Sequence, residues 1–191
     1  MQVIAIFASG AGSNALKIIQ YFEGHKSIKV GLIVCNKPQA GVINIAREYG
    51  LPVLLIERDR FFRGDAYLPD LQSHQVNFIV LAGFLWKVPA SLVSAYRGRI
   101  VNIHPALLPK YGGKGMYGDL VHHAVIQSGE GQSGITIHYV DEVFDNGEII
   151  FQERCPVYPD DSPNTLAARI HQLEHEHYPR VIEETILQNP G

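Results

Sequence analysis

No apolar run in this 191-residue chain approaches the roughly 20 residues that a bilayer span requires. The opening segment "MQVIAIFASGAG" has neither a basic leader region nor a small-residue cleavage site, so a soluble, unexported, cytoplasmic protein is expected. Charge of one sign is also missing. The sixteen Lys and Arg are scattered and the formal net charge is -3, which offers no stripe for nucleic acid and no polybasic cluster for an anionic membrane. Only two cysteines are present, Cys35 and Cys155, far apart and outside any CxxC pattern, so they read as reduced, buried thiols. Low-complexity linkers and internal repeats are absent as well. With 46% hydrophobic residues the chain can bury a sizeable core, and its partners are expected to be small molecules.

What is present is an alternation of strand and helix signals. "VIAIF" (3 to 7) is a continuous apolar run that stops at Ser9-Gly10, and "NALKIIQYFEG" after it carries apolar residues at helical spacing. "KVGLIVCN" and "AGVINIAREYG" repeat the pair, and "LPVLLIE", "FIVLAGF" and "IVNIH" continue the strands. This predicts an α/β fold with one open, mostly parallel, doubly wound sheet. The C-terminal third differs: "SGITIHYVDEVFDNGEIIFQERCPVYP" reads as two β-rich runs joined at Asp145-Asn146-Gly147. A long closing helix follows, bent at Pro179.

Three motifs could carry chemistry. In "IVNIH" the period of two puts Asn102 and His104 on one side of a strand end, where open α/β sheets gather ligands. An amide that donates to an oxyanion and an imidazole that moves a proton suit acyl transfer, although such a pair also serves as a loop cap. The turn "SGAGSNA" places Gly10, Gly12 and the amides of Ser13 and Asn14 at a helix N-terminus, which favours a phosphate. Its spacing also fits GxGxxA, but a dinucleotide site wants an acid after the second strand, where Asn36 and Lys37 stand. "HQLEH" (171 to 175) matches HxxEH, a zinc pattern for which no third ligand can be selected, so no metal is expected.

The order of "FASGAGSN", "VLAGF", "NIHPALLPKYGG" and "GITIHYVDEVFDNGEII" resembles the phosphoribosylglycinamide formyltransferase family, folate-dependent enzymes of purine synthesis. NIHP-x-LLP followed about forty residues on by His-x6-Asp is specific to the folate formyltransferases. Related methionyl-tRNA formyltransferases and formyltetrahydrofolate deformylases carry an added domain, for which the chain has no room. The resemblance implies a Rossmann-like formyltransferase fold spanning 1–191, with a phosphate-binding half (1–100) and a catalytic, folate-binding half (101–191). It implies formyl transfer from 10-formyltetrahydrofolate, a co-substrate, to the amine of glycinamide ribonucleotide. Asn102, His104 and Asp145 match the catalytic trio, with Asp145 expected to hold the His104 imidazolium and relay its proton through water.

The same mapping places the ribonucleotide on Gly12, Ser13, Asn14, His171, Gln172, Leu173 and Glu174. The folate falls on Leu85, Trp86, Lys87 and Val88, on Asn102, and on Asp141, Glu142, Val143, Phe144 and Asp145. A homodimer is compatible with the family. Some members carry Gln at position 171 and DGGP where this chain reads DNGE. The segment from Gly112 to Asp119 departs from the family pattern, and Arg60 and Arg63 fit equally as the contact to the folate tail.

Overall fold

The computed structural model describes residues 1–188; residues 189–191 of the span expected for the domain lie outside the described residues. Seven strands form one sheet: β1 (Gln2–Ala8), β2 (Ile28–Cys35), β3 (Val53–Leu55), β4 (Phe78–Leu81), β5 (Ile100–His104), β6 (Gln132–Tyr139) and β7 (Ile149–Pro156). Their order is β3-β2-β1-β4-β5-β6-β7, with β1 to β5 parallel and β6 and β7 antiparallel. The chain walks outward from β1 to β3 and then resumes on the other side of β1. The point where strand order reverses is therefore between β1 and β4, one strand away from β5.

The helices are α1 (Ser13–Phe22), α2 (Gly41–Glu48), α3 (Arg58–Phe61), α4 (Leu68–Ser73), α5 (Ala90–Ala95), α6 (Asp119–Gln127) and α7 (Pro163–Gln188). Side-chain alternation divides the core into two layers. Ile4, Ile6, Ala8, Val101, Ile103, Ile135 and Ile137 face α1, α2, α6 and α7. Ala5, Phe7, Ile79, Leu81 and Ile100 face the shorter helices α3, α4 and α5. Both cysteines are buried and free.

Two short helices, α3 and α6, go beyond the sequence reading. In α6 the apolar residues Leu120, Val121, Ala124, Val125 and Ile126 bury only Val121 and Val125 fully, and a preceding segment with glycines at 112, 113, 115 and 118 hides the helix start. Pro179 lies inside α7, which runs unbroken from Pro163 to Gln188.

Tyr178 fixes α7 onto β4 and β5. It is fully buried, and its hydroxyl donates to the carbonyls of Leu81 on β4 (2.8 Å) and Val101 on β5 (3.3 Å). Replacing Tyr178 by Phe strands two buried acceptors and is expected to cost roughly 1–2 kcal/mol. A urea unfolding midpoint equal to that of the wild type would refute this anchoring role.

Candidate active site

The carboxyl ends of β1 and β4 are laced together before any candidate site side chain is considered. The Ser9 amide donates to the Gly83 carbonyl (3.1 Å), and the Ser9 hydroxyl accepts from the Leu85 amide (3.0 Å), which joins the turn after β1 to the turn after β4. Gly12 has φ 84°, and a Cβ there would meet Val42 at 2.8 Å, so both the backbone conformation and the packing of α1 on α2 demand glycine. No side chain caps α1, whose first-turn amides therefore stay open to an anion.

On β5 the alternation that buries Val101 and Ile103 turns Asn102 and His104 to the opposite side, beside Thr136 and His138 of the antiparallel β6. Asp145 reaches the same place from the loop between β6 and β7, with φ 51°. Its Oδ2 lies 3.6 Å from His104 Nδ1 and accepts the Gly113 amide at 2.9 Å. Its Oδ1 lies 3.5 Å from Asn102 Nδ2 and 3.7 Å from His138 Nε2. The structure thus brings Asn102, His104 and Asp145 together.

Carbonyl acceptors fix the tautomers. His104 Nε2 is 2.7 Å from the Tyr111 carbonyl and so carries the hydrogen, leaving Nδ1 to face Asp145. His138 Nδ1 donates likewise to the Tyr139 carbonyl (2.7 Å), and its Nε2 accepts from Asn102 Nδ2 (3.1 Å). His138 thereby orients the Asn102 amide. Sequence reasoning missed this histidine as a separate participant, although it sits at the first position of the His-x6-Asp spacing. The segment from Gly112 to Asp119 also gains a role, because its Gly113 amide holds Asp145, just after the Tyr111 carbonyl that holds His104.

The electrostatics correct one expectation. Burial pushes His104 below its ordinary value, and the opposing pull of Asp145 together with the Tyr111 carbonyl does not overcome it. The resting imidazole is therefore neutral at pH 7, not the cation expected from the Asp145 pairing. Burial also pushes Asp145 upward, but the neighbouring His138 and His104 rings and the Gly113 amide outweigh it, so the carboxylate stays below its usual range.

The remaining expected residues divide by exposure. Asn14 Nδ2 donates to Glu174 Oε2 (2.9 Å), which joins the α1 turn to α7. Glu174 is buried and its carboxyl is held above the usual range by desolvation. The His171 and His175 rings stack one turn apart at 6.3 Å, whereas Gln172 is exposed and Leu173 packs on the core. Trp86 joins Phe61, Phe62 and Phe84 in an aromatic cluster, Leu85 is exposed, and the Val88 side chain is buried. Lys87 lies 6.0 Å from the centroid of the exposed Phe144 ring, so the two expected folate segments approach one another. Asp141 accepts the Val143 amide (2.7 Å) and the Asn146 side chain (2.9 Å), while Glu142 and Val143 point to solvent. Arg60 is committed to Asp70 (2.9 Å), to the Ala66 carbonyl and to the Tyr67 ring; the exposed Arg63 guanidinium has no ion pair among the described residues.

A family model described as formyl transferase matches residues 2–182. The chain belongs to that family. It is 42% identical over 185 residues to the chloroplastic phosphoribosylglycinamide formyltransferase of Arabidopsis thaliana, spanning 94% of this chain but only 63% of that protein. Against the phosphoribosylglycinamide formyltransferase of Bacillus subtilis (strain 168) identity is 38% over 197 residues, covering 100% of this chain and 98% of the other. A crystal structure of phosphoribosylglycinamide formyltransferase from Bacillus halodurans superposes with a TM-score of 0.88 at 36% identity, over 97% of this chain and 95% of that one.

The opposing influences on His104 make a definite prediction. Its imidazole should titrate below 6.5 in the wild type, and Asp145→Asn should lower the midpoint further by removing the negative charge that favours the cation. Side-chain NMR titration reads both values. An unchanged or raised midpoint in the variant would contradict the pairing.

Proposed function

We propose that the protein transfers the formyl group of 10-formyltetrahydrofolate to the amine of glycinamide ribonucleotide. The observation that carries this reading is the convergence of Asn102, His104 and Asp145 at the strand ends, in a member of the formyl transferase family. The two layers of the fold suggest how two substrates share that spot. The ribonucleotide phosphate sits on the open amides of α1, with its sugar toward Glu174 and His171 on α7. The folate lies on the other side of the sheet, over Leu85 to Val88, with the loop from Asp141 to Asp145 closing on its pterin and Arg63 as the free cation for its acidic tail. The phosphate half and the catalytic half meet through Asn14 and Glu174.

The resting charge state of His104 orders the proton transfers. The substrate amine attacks the formyl carbon, a C–N bond forms, and an oxyanion develops. The Asn102 hydrogen that makes only a 3.5 Å contact with Asp145 turns to that oxyanion. Neutral His104 accepts the proton released by the amine, directly or through water, and Asp145 stabilises the imidazolium so formed. The imidazolium then passes the proton to the departing folate nitrogen as the second C–N bond breaks. Atoms and charge balance without a metal or redox partner.

Incubating the protein with both substrates should yield formylglycinamide ribonucleotide and tetrahydrofolate in equal amounts. Asn102→Ala should lower kcat roughly 10²- to 10³-fold with a smaller effect on KM. Absence of product from the wild type would sink the proposal, and near-normal turnover by the variant would remove Asn102 from the oxyanion site.

A further inference from the structure

Six buried side-chain polar atoms lack a hydrogen-bond partner among the described residues, and three of them lie on α1, α6 and α7, of which α7 packs on both of the others. They are Asn14 Oδ1, His175 Nε2 and His122 Nδ1. Asn14 and the α7 helix already belong to the proposed ribonucleotide wall. His122, on the first turns of α6, has no role in the reading given so far, yet it is only 2% exposed. A buried nitrogen left without a partner costs roughly 1–3 kcal/mol, so its position calls for a ligand or a held water.

We infer that His122 is a ribonucleotide-positioning residue whose unpartnered Nδ1 hydrogen-bonds the uncharged middle of the substrate, its sugar hydroxyls or amide. This rests on the function proposed above. Location supports it: His122 lies within electrostatic reach of His171 on α7 and of His104 on β5, with Asp119 and His123 of its own helix also near. It is therefore near both the helix assigned to the sugar and the imidazole assigned to the reacting amine. Its charge state supports the same part of the substrate. Burial, followed by the neighbouring His171, lowers His122 to about 4, so at neutral pH it is an uncharged ring with one donor and one acceptor nitrogen. Such a ring is suited to a hydroxyl or amide and offers no charge to a phosphate, which the α1 amides already serve.

Three variants separate substrate contact from simple packing. Asn places its amide near the Nδ1 position, Gln places it near Nε2, and Leu fills the space without polarity. His122→Leu and His122→Gln should raise KM for glycinamide ribonucleotide roughly 3- to 10-fold, as loss of one uncharged hydrogen bond does, and leave KM for 10-formyltetrahydrofolate where it was. His122→Asn should recover most of the wild-type KM. If the Leu protein fails to fold, the contrast between Asn and Gln carries the test. Equal ribonucleotide KM values in wild type, Asn and Gln variants would overturn the inference, as would parallel rises for both substrates. An active wild type with unaffected variants defeats this assignment alone; a wild type that does not formylate the ribonucleotide defeats it together with the proposed function.

Discussion

The carboxyl end of β5 is organised around one carboxylate that stays ionised where burial opposes it. Asp145 achieves this through neighbours drawn from three parts of the chain: His104 on β5, His138 on β6, and the Gly113 amide in the turn before α6. None of these contacts is local in sequence to Asp145. The antiparallel pairing of β6 on β5 sets Asn102 opposite His138 in register, and that register is what lets one aspartate reach both strands. Close fit holds the approach: a Cβ at Gly112 would stand 3.3 Å from that of Asp145, and one at Gly147 would strike the Tyr139 carbonyl.

The same arrangement sets the resting state of His104. Desolvation and a nearby carboxylate push an imidazole in opposite directions, and here desolvation prevails while the pair is at rest. A neutral ring beside an ionised carboxylate is well placed to become the cation during reaction, because the stabilising charge is already there when the proton arrives. In the proposed reaction, catalysis draws on the difference between the resting and protonated ring, not on a permanent ion pair.

Much of this was legible in the sequence, and what was not has a physical reason. Continuous apolar runs gave away β1, β2 and β4, and the alternation in "IVNIH" put Asn102 and His104 on one side, as the two core layers require. The shift from parallel to antiparallel strands followed from the change in pattern after residue 132. Helix α6 was hidden because its N-terminal flank is glycine-rich and blurs the start of its apolar pattern. The neutrality of His104 was out of reach because sequence names a charged partner but not the burial that opposes it. The commitment of Arg60 to Asp70 likewise depends on a ten-residue span whose local path the sequence does not specify. His122 read as one histidine among nine until its burial and missing partner became visible.

The central claim is that His104 and Asp145 act as one proton-holding unit. A double-mutant cycle on kcat/KM tests it most directly, comparing His104→Ala, Asp145→Asn and the two combined. The account predicts that the double variant is scarcely slower than His104→Ala alone, because the carboxylate has no imidazolium left to stabilise. Losses that multiply, so that the double variant shows the product of the two single defects, would mean that the two residues work independently and would contradict the account.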